Sequence, residues 1–110
     1  MTHTATAELD MAAHHLEQAG LTIDARNWTC SYGSLDLVAH DATTTVFAMV
    51  LTLPKGKAAD AVSPSFAKCQ RVRRLALLWL AEQDGPFQPV RFDALFVPEL
   101  PAIEHHLNVF

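Results

Sequence analysis

The stretch TTTVFAMVLTL, residues Thr43–Leu53, contains no charged side chain and is almost wholly apolar or β-branched. Such residues pack well on a pleated surface, and a run without polar alternation suits a strand that is buried on both faces of a sheet. We therefore predict that Thr43–Leu53 forms the central strand and that the other elements pack around it.

The segments upstream of this strand carry first a helical and then a strand pattern. Apolar residues recur at helical spacing over Ala5–Ala19, and Gly20 follows at the position of a helix stop. Leu21–Trp28 and Leu35–His40 are rich in apolar and β-compatible residues, and the turn formers between them include Gly33. These patterns predict an amphipathic first helix followed by a two-stranded hairpin.

The downstream segments predict a loop, a second helix and further strands. Pro54–Ser63 holds Pro, Gly, Lys and small residues without periodicity, which is typical of a loop. Ser63 or Ser65 can cap the helix that follows, which is predicted to run to about Gln83. A strand is predicted over Val90–Val97, and a short edge strand is predicted within Ala102–Phe110.

Composition limits the number of domains and the class of protein. With 110 residues, half of them apolar, the chain can bury one core, so we predict one domain over residues 1–110. Met1–Gly20 contains no unbroken apolar run behind a basic cluster, which predicts a cytoplasmic protein without a membrane segment. Cys30 and Cys69 are too few and too far apart for a disulfide framework or a Cys-x-x-Cys metal site.

The charge distribution bears on nucleic-acid binding. A formal charge of −4 opposes attraction to a polyanion, but the second helix carries Lys68, Arg71 and Arg74 on one face, with Arg73 pointing elsewhere. This basic patch is interpreted either as a solubilising outer face, which is favoured, or as a surface that contacts phosphates. The candidate nucleic-acid-binding residues are Lys55, Lys57, Lys68, Arg71 and Arg74.

The six histidines do not predict a metal site. His14 and His15 are adjacent, as are His105 and His106, so on a helix the two rings of each pair diverge. No HExxH pattern accompanies them. Solvated or packing histidines are therefore expected, and no metal ligand is assigned.

Seven short features occur in an order and at spacings that match one family of small bacterial proteins. They are LEQAG at Leu16–Gly20, ARNW at Ala25–Trp28, GSLDLV at Gly33–Val38, TVFAMVLTL at Thr45–Leu53, Lys68, RFD at Arg91–Asp93 and NVF at Asn108–Phe110. Together they resemble the YraN-like family, whose members are related to the PD-(D/E)XK nucleases. The resemblance covers nearly the whole chain.

This resemblance implies a restriction-endonuclease-like α/β fold, αβββαβ(β), in which helices flank a central mixed sheet. It also implies a site that uses Mg²⁺ or Mn²⁺ to hydrolyse a phosphodiester, with carboxylates that hold the metal and a lysine that offsets developing charge. The family carries Glu-x-Lys on its central strand, where the alternation of side chains puts both groups on the same side.

The residues at the family's catalytic positions differ in this chain. The glutamate of Glu-x-Lys falls on Met49, its lysine on Leu51, and the glutamate of Gly-Glu-Ile-Asp on Ser34, so Asp36 alone is retained. One carboxylate with apolar neighbours cannot build the octahedral oxygen shell that Mg²⁺ requires. We therefore predict a catalytically inactive endonuclease-like domain that needs no cofactor. Asp36 is then either a vestige of the site or a structural acceptor for backbone N–H groups at a strand end.

An enzymatic alternative places the active site elsewhere. A divalent-metal-dependent endonuclease with a relocated site would use Asp36, Asp93 and either Glu8 or Asp10. The last two residues flank Leu9, which falls on the family's first-helix acid. Only under this alternative would Mg²⁺ or Mn²⁺ be expected.

Two binding alternatives need no catalytic site. The first is nucleic-acid binding without cleavage, through the basic patch of the second helix. The second is a protein partner or a homodimer, because sheet edges and apolar residues such as Phe87 and Val109–Phe110 would be available for contact.

Overall fold

The computed structural model describes residues 6–52, 65–84, 88–97 and 104–107. Within these ranges the chain forms two helices and five strands, which confirms the predicted order αβββαβ with a short last strand. The elements are α1 (Thr6–Gln18), β1 (Thr22–Cys30), β2 (Gly33–His40), β3 (Thr45–Thr52), α2 (Phe66–Ala81), β4 (Val90–Val97) and β5 (Glu104–His106).

Some predictions lie outside the described residues. These are the loop over Pro54–Ser63, with Lys55 and Lys57, and the contact residues Phe87 and Val109–Phe110.

The five strands form one sheet in the order β1-β2-β3-β4-β5, so β3 lies at the centre as predicted. Neighbouring strands are antiparallel except β3 and β4, which run parallel from Thr45 opposite Val90 to Thr52 opposite Val97. A parallel pair needs a long crossover, and α2 lies within it. The fold is therefore a small α/β domain with a mixed sheet.

The central strand is shorter than predicted at its start. Asp41 Oδ1 accepts hydrogen bonds from the backbone N–H groups of Thr43 and Thr44, each at 2.9 Å, so these residues form a turn. β3 consequently begins at Thr45. It is buried as far as Val50, but its end emerges from the core, which corrects the prediction of burial along the whole run.

The two helices cover opposite faces of the sheet. Val46, Ala48 and Val50 of β3 pack in a core cluster with α1, whereas Phe47 and Met49 pack in a second cluster with α2. This alternation follows from the period of two in a strand. It places the positions of the family's Glu-x-Lys on the face that α2 covers.

The helix ends use the residues that the sequence indicates. Gly20 has a φ of +94°, which glycine adopts readily, and the Leu21 N–H donates to the carbonyl of Leu16 to close α1. Ser65 is the N-cap of α2, and its hydroxyl accepts a hydrogen bond from the Lys68 N–H at 3.1 Å. Neither helix, within the described residues, is long and apolar enough to cross a membrane.

Candidate functional site

Met49, which the resemblance aligns with a metal-binding glutamate, is only 2% exposed. Its side chain lies beneath α2 in the cluster that contains Leu35 and Phe47. A carboxylate at this place would lose its hydration against apolar neighbours, whereas a flexible thioether fills such a space without cost in polar contacts.

Leu51 and Ser34 occupy the other two replaced positions. Leu51 is half-buried and packs both against the α2 cluster and against Ala94 and Phe96 of β4. Ser34 is half-buried in the β1–β2 hairpin, where it pairs with Thr29. Two apolar side chains and a hydroxyl therefore stand where the resemblance implies three charged groups.

The carboxylate of Asp36 hydrogen-bonds to the neighbouring strand. Its Oδ2 accepts from the Val50 N–H at 2.8 Å. The ladder between β2 and β3 ends, in the described register, with Leu37 opposite Ala48, so Val50 lies beyond it. Earlier along β3, carbonyl groups of the β2 backbone accept the N–H groups, and at Val50 the Asp36 side chain takes over this role. This is the contact that the structural-acceptor hypothesis describes.

The alternation of side chains along β2 is irregular around Asp36. Leu35 and Leu37 are two residues apart, yet they pack in the α2 and α1 clusters respectively, so the alternation of β2 breaks between them. On β1, Asn27 lies opposite Asp36 by the register of the flanking pairs and has a φ of 47°. Asparagine tolerates this left-handed conformation better than most residues.

The first-helix acids lie on the α1 side of the sheet, away from the face that holds Met49. Glu8 accepts a hydrogen bond from the Thr52 hydroxyl, and Asp10 pairs with Arg26 at 2.6 Å. Leu9, between them, is buried against the sheet. These contacts commit the two carboxylates to different strands.

Comparison with known proteins identifies the family. A family model described as "Uncharacterised protein family UPF0102" matches residues 8–97, a range that includes Ser34, Asp36, Met49 and Leu51. The chain belongs to the UPF0102 family. This is the YraN-like family that the sequence motifs indicate, so that prediction is confirmed.

Several relatives carry the UPF0102 name. The chain is 53% identical over 108 residues to the UPF0102 protein of Nocardia farcinica, which covers 92% of this chain and 84% of the relative. It is 44% identical over 93 residues to that of Mycolicibacterium smegmatis, covering 80% and 73%. With the protein of Rhodococcus opacus it shares 39% identity over 109 residues, covering 92% and 90%.

A buried polar network in this UPF0102 chain joins α1, β4 and β5. Asp93 of β4 is fully buried, accepts hydrogen bonds from Nε and Nη2 of Arg91, and lies 2.8 Å from His105 Nε2. The other ring nitrogen of His105, Nδ1, is 3.2 Å from His15 Nε2. A carboxylate can be buried at this place because its charge is paired and hydrogen-bonded.

The contact between the two histidines limits their protonation. Two N–H groups cannot point at one another, so His15 Nε2 and His105 Nδ1 share at most one proton. Burial, and secondly the charge of His105, lower the pKa of His15 below its ordinary value of 6.5. The adjacent histidine pairs in the sequence did not indicate this network, because the contact joins residues 90 positions apart.

The geometry does not assemble the relocated metal site within the described residues. In the ranges 6–52, 65–84, 88–97 and 104–107, no group of three or more His, Cys, Asp or Glu side chains is placed to hold a metal ion. Asp93 is held by Arg91 and His105, and Asp10 is held by Arg26.

The four basic residues of α2 lie in three different surroundings. Arg71 and Arg74 line a groove of about 780 Å³ on the outer side of the helix, hereafter the α2 groove. Lys68 is exposed but is not part of the groove lining. Arg73 lies elsewhere, as predicted, with its guanidinium carbon 4.9 Å from the centre of the Phe92 ring, a cation–π distance.

Proposed function

We propose that this UPF0102 chain is a non-catalytic domain with an endonuclease-like frame and that it acts through binding. The burial of Met49 in the apolar cluster beneath α2 carries the proposal. A hard divalent cation needs several oxygen ligands, and the α2 face of β3 offers it Phe47, Met49 and Leu51. The residues present therefore do not fit a Mg²⁺ or Mn²⁺ site of the family type.

The state of Asp36 supports the same proposal. Its Oδ2 accepts the Val50 N–H at 2.8 Å, so the carboxylate has a contact within the sheet that needs no metal ion.

A nuclease assay with a matched variant tests the proposal. The purified domain is incubated with Mg²⁺ or Mn²⁺ and with single-stranded, duplex or branched DNA, beside Asp36→Ala and a mock purification. We expect the wild type to show no cleavage above the mock purification. Cleavage that follows the protein through purification and is lost in Asp36→Ala would overturn the proposal.

Nucleic-acid binding without cleavage is a second candidate, favoured by the charge of α2. This helix carries four basic residues, half of the chain's Lys and Arg, and no acidic residue. Binding of this kind weakens with salt, because phosphate contacts release counterions. The combined change of Lys68, Arg71 and Arg74 to alanine should then reduce affinity for DNA and flatten its salt dependence, and salt-insensitive or absent binding would remove this candidate.

A further inference from the structure

The outer side of α2 is unusually apolar for an exposed helix face. Phe66 is 78% exposed and Leu77 is 69% exposed, and Tyr32 from the β1–β2 turn lies beside the same groove. The opposite side of the helix is already used, because Val72, Leu75, Ala76 and Trp79 are buried against the sheet. A helix that is apolar on both sides is normally covered on both sides, and exposed apolar patches mark contact surfaces.

The two arginines of the α2 groove lie in its middle, between two apolar ends. Phe66 and Ala67 lie at one end, Arg71 and Arg74 follow, and Leu77 and Leu78 lie at the other end. At 1.5 Å rise per residue, Ala67 and Leu78 are about 16 Å apart along the axis, the length of three helical turns. Within the described residues, neither guanidinium has an acidic partner in this chain.

A second copy of the chain fits this groove poorly. In a symmetric dimer the same patch contacts itself, so Arg71 and Arg74 of both copies would meet across the contact. Like charges in contact oppose association. The arginines instead complement carboxylates, which guanidinium groups bind with two parallel hydrogen bonds.

The aliphatic content of the groove distinguishes between two anionic partners. A nucleic acid would use aromatic side chains for stacking and arginines for phosphates, but its sugars and thymine methyl groups offer little aliphatic surface to bury Leu77 and Leu78. A protein segment offers both apolar side chains and carboxylates. An amphipathic segment can lie in such a groove and contact it through residues three or four positions apart.

We propose that the α2 groove binds a protein segment that places acidic side chains between apolar ones. The apolar residues would lie on the Phe66 and Leu77 ends of the groove, and the carboxylates would pair with Arg71 and Arg74. This inference deepens the proposed binding role by naming the partner class, and it rests on that role.

Selection from a displayed library of random 16-residue peptides tests the inference. The whole domain is the target, and peptides that also bind Leu77→Ser are removed in each round. We expect an enriched pattern in which Asp or Glu stands between apolar residues. A synthetic peptide of that pattern should bind about tenfold more weakly to Leu77→Ser, and to the double variant Arg71→Glu and Arg74→Glu, than to wild type.

Control variants outside the groove test for general effects of charge and hydrophobicity. Leu107→Ser removes another exposed leucine, and Gln18→Glu adds a negative charge on α1. Both should leave affinity within about twofold. All the changed side chains are exposed, so the variants should fold, and circular dichroism melting checks this.

Three outcomes would overturn the inference. They are the absence of enrichment, an enriched pattern without acidic residues, and binding that the groove variants leave unchanged. A fourth would assign the surface to nucleic acid: binding of a dT20 oligonucleotide that requires Arg71 and Arg74 but is insensitive to Leu77→Ser. The nuclease assay is independent, so a failure here is distinguishable from a failure of the non-catalytic role.

Discussion

Asp36, which the family resemblance aligns with a catalytic acid, makes a hydrogen bond that serves the sheet. Its carboxylate accepts the Val50 N–H at a point where the β2 backbone no longer pairs with β3 in the described register. A buried or half-buried N–H without an acceptor is costly, so removal of the carboxylate should cost stability. An acid kept for catalysis behaves differently, because its removal is often neutral or stabilising.

Substitution of Asp36 distinguishes these roles. Asp36→Ala should lower the free energy of unfolding by about 1–3 kcal/mol, and Asp36→Asn, which keeps an acceptor oxygen, should cost less. Urea denaturation measures both, with Ser34→Ala as the control on the same strand. An Asp36→Ala domain as stable as the wild type would contradict the structural role.

His15 makes stability depend on pH through its contact with His105. The pKa of His15 lies below 6.5 in the folded chain, because burial and then the nearby His105 disfavour the charged ring. Unfolding restores the ordinary value, so the unfolded chain binds more protons as the pH falls from 6.5 towards the lowered pKa. The stability that depends on neutral His15 is therefore fully present above pH 6.5. It is lost as the pH falls from 6.5 through the lowered pKa.

The test compares unfolding free energies at several pH values between 5 and 8. We expect His15→Gln to reduce the fall in stability on acidification, whereas His14→Gln, at an exposed neighbouring position, should keep the wild-type slope. If the unfolding free energies of the wild type and His15→Gln changed equally with pH, the histidine contact would not control the loss of stability on acidification.

At the scale of elements, α2 depends on its N-cap. The Ser65 hydroxyl accepts the Lys68 N–H, one of the four N–H groups that a helix start leaves without an intrahelical partner. Ser65→Ala should therefore destabilise the domain by about 1 kcal/mol, and Ser65→Asp should restore most of the loss. Thermal unfolding measures both variants, with Ser31→Ala in the exposed turn as the control. An unfolding midpoint of Ser65→Ala equal to that of the wild type would rule out the cap as a stabilising contact.

The sequence predicted elements better where local patterns determine them. α1 is found within one residue of each predicted end, because apolar spacing and Gly20 act locally. The β1–β2 hairpin is tighter than predicted, since the strands continue to Cys30 and Gly33 and leave a two-residue turn. The positive φ of Asn27 and the break in alternation around Asp36 were not predicted, because such irregularities depend on how the two strands pair.

The motifs predicted which positions make up the candidate site, but they could not predict its contacts. Motif spacing identified Ser34, Asp36, Met49 and Leu51 as the positions to examine. Spacing carries no information on which hydrogen bonds form between strands, so the Asp36 contact had to come from the structure. The Asp93 network was missed for the same reason, although an Asp two residues after Arg91 in an apolar strand is a usable signal.

At the scale of the whole molecule, the sheet separates two environments. The α1 face carries the polar network of Asp93, His105 and His15, together with the paired acids Glu8 and Asp10. The α2 face carries Phe47, Met49 and Leu51 of β3 and, on the outside of its helix, the groove with Arg71 and Arg74. The α/β fold needs no charged groups on β3, because apolar residues stabilise a central strand better than buried charges do.

A Mn²⁺ titration of the ¹⁵N-labelled domain tests most directly whether this chain lacks the family's metal site. Paramagnetic Mn²⁺ broadens the amide signals of residues near a bound ion. We expect the signals of Asp36, Met49 and Leu51 to broaden no more than those of exposed acidic residues such as Glu17. Saturable broadening centred on Asp36 and abolished by Asp36→Asn would contradict the absence of a metal site.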